Sequence, residues 1–378
     1  MPVVVYGSTD RLVDSEDVLA RLEGINDFVR SWKNIISLAA FAIIIVALVV
    51  SGFIFIPKLF EPDSSRNDTL VVFQEYLISL PERVLKERGR DRALEQFENV
   101  LKTLEFTAQL NSRSNYITFE VNRFADWNKA EIQKLFRETE VDWNKIAGNS
   151  FFNTSVERQH IDPTEPPPSK DWRKENVLTP VKHQGYCSSG WAFATTALVE
   201  AAVAISTKSP PVSLSEQQLM DCDYFDRGCY AGNVLTALTY VKENGLTAEE
   251  WYPYNPGLIT QCQPYEAIAW IKEFSLHKFC CDPWWLEYYG PMVVTISVTK
   301  EFISYKSGIF HPLKEDCEYR SIGRHSMLVV GKGISSDGTE YWILRNSLGR
   351  TWGEDGYMRF IKGINACGIE DSAIGARL

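Results

Sequence analysis

Apolar and polar positions divide the 378-residue chain into stretches of different period. Residues 35–56, IISLAAFAIIIVALVVSGFIFI, hold 22 uncharged and mostly apolar positions, about 33 Å as a helix and long enough to cross a bilayer core. No polar face interrupts the run, as it would in a core helix, and 34 residues precede it, too many for the apolar region of a cleaved signal. It reads as a membrane anchor. Further on, Leu94, Phe97, Leu101, Leu104 and Ala108 recur at intervals of three and four and mark one apolar face of a helix. The Pro-rich DPTEPPPSKDWR, residues 162–173, predicts an extended, exposed junction. WAFATTALVEAAVAI, beginning at Trp191, predicts a helix, and Asp282-Pro283 is an N-cap and first-turn signature for WWLEYY.

Composition adds a boundary to this picture. Hydrophobic residues at 45% and aromatics at 12% supply a core for one large or two modest domains. A net charge of -10, with no local basic patch, gives no support for a nucleic-acid surface. Five histidines, no His-Glu-x-x-His and no cysteine pairs at zinc spacing argue against a metal site, and GKGISSDG is too isolated to suggest a nucleotide, so no cofactor is expected.

The cysteines orient the membrane span. All eight (Cys187, Cys222, Cys229, Cys262, Cys280, Cys281, Cys317, Cys367) follow it, as expected if that side faces an oxidising lumen or the exterior. Asn67-Asp-Thr and Asn153-Thr-Ser would be glycosylation acceptors there. Arg30 and Lys33 before the span, against Lys58 after it, lean the same way, toward a cytosolic N-terminus.

PVKHQGYCSSGWAFA, residues 180–194, resembles the nucleophile turn of papain-type cysteine peptidases, with Gln184, Cys187 and Trp191 at the family's spacing. SLSEQQLMDCD, GCYAGN, GRHSMLVVGKG and RNSLGRTWGEDGYMRF follow in the family's order. Upstream, Asn122, Phe124 and Asp126 resemble the Asn-x-Phe-x-Asp core of the family's propeptide. The preceding propeptide helix pattern survives as Phe97 and Leu104 in register, with Arg92 one position off.

The resemblance implies a propeptide that runs through the cleft in the non-productive direction and blocks it. It also implies bridges pairing Cys187 with Cys229, Cys222 with Cys262 and Cys317 with Cys367. Cys280 and Cys281 lie outside that framework; adjacent Cα atoms sit about 3.8 Å apart, below the disulfide range, so a mutual bond would be strained, and free buried thiols are favoured over a partner-linking or redox pair.

The same resemblance assigns the chemistry and exposes a gap in it. His325 would be the general base, Asn346 the residue orienting it and Gln184 an oxyanion donor; Gly232, with Ala231, Asn233 and Ser326, would contact substrate. The nucleophile position holds Gly190. A thiol there would be activated by the helix dipole and a neighbouring imidazolium, whereas glycine forms neither thiolate nor acyl-enzyme. His325 follows it by 135 residues and Asn346 by 156, near the roughly 130–150 typical of the family. Cys187 matches a structural cysteine, and Ser188 and Ser189 precede the helix and should point away from His325. Leu348 stands where a tryptophan would shield the His-Asn bond, Ser188 and Ala231 replace glycines, and Arg324 should fill part of the cleft.

The resulting expectation is a single-pass type II membrane protein with a cytosolic tail (1–34), the anchor (35–56), a helical propeptide-like domain (66–138), a linker (139–166) and a papain-like α+β domain (167–378). The last would have a helical lobe and a β-barrel lobe. Its ectodomain would face the endolysosomal lumen or the exterior and bind a peptide or protein ligand without hydrolysis. The rival readings are an active lysosomal or cell-surface endopeptidase, with position 190 as discriminator, and an inhibitor of related peptidases acting through residues 66–138.

Overall fold

Helix α1 (Gly89–Arg113) packs by hydrogen bonds as much as by apolar contact. In this computed structural model, which describes residues 89–113, 116–139, 169–277 and 283–378, the apolar face expected from Leu101, Leu104 and Ala108 points inward only at the half-buried Leu104. Leu101 is 48% exposed and Ala108 is exposed, while Val100 and Thr107 are buried. The reason lies in the turn at residues 122–127, whose carbonyls have no strand partner. Asn99 Nδ2 donates to Asp126 O at 3.1 Å, Thr103 Oγ1 to Ala125 O at 3.1 Å, and Gln96 Nε2 to the Asp126 carboxylate at 2.8 Å. Unpaired buried carbonyls are costly, so the side of the helix bearing amides and hydroxyls turns toward them. The span at 35–56, Asn67, Asn153, Cys280, Cys281 and the linker up to residue 168 lie outside the described residues.

The Asn122–Asp126 core is a self-bracing turn. Asn122 Oδ1 accepts from Phe124 N–H at 3.1 Å while its Nδ2 donates to Ile303 O at 2.7 Å, and Phe124 is buried edge-on to Trp127. Before it, β1 (Ile117–Phe119) joins the main sheet antiparallel to β5 (Tyr305–Phe310). After it, α2 (Lys129–Gln133) opens on a capping box in which Asn128 and Glu131 each accept the other's backbone N–H.

Helices dominate the next part of the chain and strands the remainder. A short strand, β2 (Lys170–Asp171), precedes α3 (Gly190–Thr207), α4 (Glu216–Cys222) and α5 (Val234–Asn244). Ser215 and Asn233 cap α4 and α5 through their side chains. The sheet is then completed by β3 (Glu273–His277), β4 (Met292–Val298), β5, β6 (Gly323–Ile334), β7 (Glu340–Arg345), β8 (Tyr357–Ile361) and β9 (Ala373–Arg377). Its order is β1-β5-β8-β7-β6-β4-β9-β3, with β2 beside β6. The β5–β8 pair is parallel and the others antiparallel, so the fold is α+β with a mixed sheet.

α3 is apolar around its whole circumference because it packs against α4, α5 and the sheet strands β4, β6 and β9. It is long and apolar enough by composition to cross a membrane, but 78% of it is buried within the protein, so its apolarity is that of a core helix. Disulfides Cys187–Cys229 and Cys222–Cys262 staple the helical part, and Cys317–Cys367 the strand part.

Candidate functional site

The cleft runs between the head of α3 and the start of β6. Pairing of Leu328 with Arg345 sets β6 beside β7, which brings His325 near the start of one strand against Asn346 just past the end of the other. His325 Nε2 lies 2.8 Å from Asn346 Oδ1, and both residues are buried. The Asn346 oxygen also accepts from Ser347 N–H, so Nε2 is the donor of the pair. Ser347 then ties the two sides of the cleft: its hydroxyl donates to Gln184 Oε1 at 2.6 Å and its carbonyl accepts from Gln184 N–H at 2.8 Å. Gln184 Nε2, the expected oxyanion donor, is engaged by Cys187 O at 2.9 Å and Leu135 O at 3.4 Å.

Gly190 opens α3 and is buried against the imidazole. A Cβ placed there would lie 2.4 Å from His325 Cε1, 2.5 Å from His325 Nδ1 and 2.7 Å from Glu138 Oε1, so the position admits no side chain unless these groups move. The two neighbouring hydroxyls face away from His325. Ser188 Oγ accepts from Arg137 N–H at 2.8 Å, and Ser189 Oγ pairs with Tyr254 OH at 2.8 Å, which itself donates to Gln184 O. Cys187 is consumed in its disulfide.

Residues 136–139 lie in the cleft beyond a turn at Lys134 and Leu135, with Arg137 bridged to Arg324. Phe136 O accepts from Arg324 N–H at 2.9 Å and Thr139 N–H donates to Gly232 O at 3.0 Å, while Asn233 Nδ2 donates to Thr139 O at 3.3 Å. Gly232 and Asn233 thus meet this segment, whereas the carbonyl of Ala231 accepts from Arg227 N–H. Glycine at 232 is required by a close approach, since a Cβ would come within 2.2–2.4 Å of the Trp191 indole. Arg324, expected to fill part of the cleft, contributes its backbone to a bridge with Arg137.

Glu138 is the residue that sequence reasoning missed. Its Oε1 accepts from Ser326 N–H at 2.7 Å and stands 3.3 Å from His325 Nδ1, and its Oε2 accepts from the Ser326 hydroxyl. Thr295 Oγ1, 2.7 Å from Ser326 Oγ, completes a chain from β4 through β6 to the carboxylate. The signal was weak: Glu138 is one acid among Glu131, Glu140 and Asp142, and 188 residues separate it from Ser326.

With the cleft segment in place, the His-Asn bond is shielded from water although Leu348 stands at the tryptophan position. Leu348 and His325 are both fully buried, and the rings of Phe136 and Phe302 stand edge-on to the imidazole with centroids at 5.1 and 6.1 Å. The segment in the cleft supplies part of the shield. Around it, Arg123 donates to Leu348 O at 2.5 Å, and burial pulls its guanidinium down to about 10 against the influence of Tyr186. Burial and the nearby Arg123 push His183 down to about 3, so it is neutral, and its Nδ1 accepts from Gly185 N–H at 2.9 Å. On the far wall, burial and then the neighbouring Asp223 push Asp226 up to about 8. Asp226 accepts from Asn233 N–H and Thr236 Oγ1, which fixes the loop that carries Gly232.

Comparison with known proteins gives this geometry its lineage. Pro-cathepsin H of Mus musculus is 35% identical over 269 residues, spanning 68% of this chain and 77% of the relative. Pro-cathepsin H of Bos taurus is 33% identical over 307 residues, spanning 79% and 87%. The digestive procathepsin L2 proteinase of Tenebrio molitor larval midgut superposes with a TM-score of 0.69 at 28% identity, covering 77% of this chain and 94% of its own. Recombinant stem bromelain precursor gives 0.66 at 25% identity, covering 82% and 98%. Residues 166–377 match the sequence profile of the papain family cysteine proteases, and the chain belongs to that family.

Proposed function

We propose that this protein is a papain-family homologue that binds a peptide or protein segment in its cleft and does not hydrolyse it. The observation that carries the reading is Gly190 at the head of α3, with the imidazole and a carboxylate occupying the space a nucleophile would need. A covalent acyl-enzyme requires a nucleophilic side chain within reach of the base. The neighbouring hydroxyls of Ser188 and Ser189 are bonded elsewhere. His325, Asn346 and Gln184 act here as a hydrogen-bonded core that holds the cleft's shape. Residues 89–139 take the role of a propeptide-like domain that occupies the cleft. Residues 35–56 anchor the chain as a type II membrane protein, and the three disulfides suit a lumenal or extracellular location for the remainder.

The test uses the full chain in detergent, before and after an added protease cuts the 162–173 linker. Titration with a thiol-directed peptide inhibitor and a fluorogenic peptide should show neither labelling nor turnover, and the linker should stay intact at acidic pH when other proteases are excluded. Labelling of any cysteine together with peptide hydrolysis, or spontaneous cleavage of the linker, overturns the reading.

A further inference from the structure

We infer that the space left at Gly190 is a carboxylate-binding site, filled by Glu138 in this structure and able to take the glutamate of an extended peptide of the form aromatic-x-Glu. The inference rests on the binding reading above and names its ligand.

Two donors bond the Glu138 carboxylate, the Ser326 N–H and the Ser326 hydroxyl, and the buried His325 Nδ1, which makes no hydrogen bond among the described residues, faces it at 3.3 Å. Its side chain is 2% exposed and that of His325 is fully buried. With Nε2 committed as donor to Asn346, Nδ1 is the ring nitrogen that faces the carboxylate across the space at Gly190. A buried carboxylate is tolerated only with partners of this kind. The carboxylate also lies beside Gly190, the first residue of an 18-residue helix whose N-cap Ser189 makes no side-chain cap, and the dipole there favours an anion.

The absence of a side chain at 190 is what admits the carboxylate, because a Cβ would stand 2.7 Å from Oε1. An anion therefore takes the place beside the imidazole that a thiolate would hold. The flanking contacts set the register of a ligand. Phe136, two residues before the glutamate, is 1% exposed and packs edge-on to Phe302 and His325, while backbone groups of residues 136, 137 and 139 bond to Arg324, Ser188 and Gly232. Most of these backbone bonds form with any sequence. The aromatic pocket and the carboxylate site supply the selectivity.

The experiment uses the full chain in detergent carrying E138A, which removes the resident carboxylate and leaves the tethered backbone to compete equally with both peptides. Two fluorescein-labelled peptides with the sequence of residues 132–142 are compared by polarisation, one with glutamate at the position of Glu138 and one with glutamine. Charge-assisted hydrogen bonds are about twice as strong as neutral ones. The glutamate peptide should therefore bind at least about tenfold more tightly, and adding G190A should abolish that difference by filling the hollow. Equal affinity for the two peptides, no binding of either, or a preference that survives G190A overturns the inference. Should E138A fail to fold, the near-isosteric E138Q chain receives the same pair of peptides, and equal affinity there is equally fatal. Hydrolysis measured on the wild-type chain separates the two readings: turnover would end the binding-only function while leaving the preference for a carboxylate standing.

Discussion

The two walls of the cleft differ in what they keep. The strand wall holds His325, Asn346 and Ser326 in a buried network on β6 and just past β7, where each polar group also serves the sheet's packing. The helix wall keeps its scaffold, with two disulfides, the Gly232 approach to Trp191 and the Gln184–Ser347 tie, but lacks a reactive side chain at Gly190. A base and its orienting partner are stable as core residues without a nucleophile. Gly190 leaves a space beside the imidazole, and the Glu138 carboxylate borders it.

The largest effect should come from breaking this difference with a thiol. Gly190→Cys alone places a Cβ against both His325 and Glu138, so it should destabilise the chain by about 1–3 kcal/mol, as overpacking does, and alkylate slowly. The double variant Gly190→Cys, Glu138→Ala removes the competing anion and leaves the thiol at the helix N-terminus beside His325. Its alkylation and, once the linker is cut, its hydrolysis of a fluorogenic peptide should exceed those of the triple variant with His325→Ala by about 10² to 10⁴, the usual contribution of a general base. Equal rates in the double and triple variants would show that His325 is not aligned with position 190.

How much of this was legible in the sequence follows from how each feature is encoded. The helix α3 was readable from WAFATTALVEAAVAI, and the three disulfide pairings and the positions of His325 and Asn346 were implied by the family resemblance. The inward face of α1 differs from the apolar spacing because Gln96, Asn99 and Thr103 turn inward to bond the 122–127 turn, which hydrophobic periodicity does not record. Glu138 was invisible for a different reason. Its partners lie on distant elements, and only the path of residues 135–139 through the cleft brings them together.

A second prediction separates the walls by their staples. Cys187–Cys229 closes 42 residues on the helix wall and Cys317–Cys367 closes 50 on the strand side, so loss of either pair to serine should cost a similar amount, about 4 kcal/mol in the chain-entropy view. Their local consequences should differ. The Cys187–Cys229 bridge joins the turn bearing Ser188 to the loop before Gly232, and both contact residues 137–139. Denaturant midpoints should fall for both variants, whereas release of residues 135–139 to limited proteolysis under native conditions should rise only for Cys187→Ser, Cys229→Ser. Equal protease sensitivity would mean that the segment is not held by the helix wall.

The smallest effect is a pH slope that belongs to the helix wall. Burial, followed by the nearby Asp223, pushes the Asp226 carboxyl up from 3.8 to about 8. A carboxyl that binds its proton more tightly in the folded chain than in the unfolded one stabilises the fold fully below its unfolded value. That contribution is lost as pH rises toward the folded value. Between pH 5 and pH 8 the buried charge and its repulsion from Asp223 should therefore destabilise the loop that presents Gly232 to Thr139, although Asn233 N–H and Thr236 continue to donate to Asp226. A loss of about 1 kcal/mol would lower the melting temperature by about 2–4 °C. Asp226→Asn keeps an acceptor oxygen for Asn233 N–H, faces the Thr236 hydroxyl with its amide group and cannot ionise, so it should remove that part of the slope. If the variant melts with the same pH dependence as the parent, the Asp223–Asp226 pair does not govern this wall.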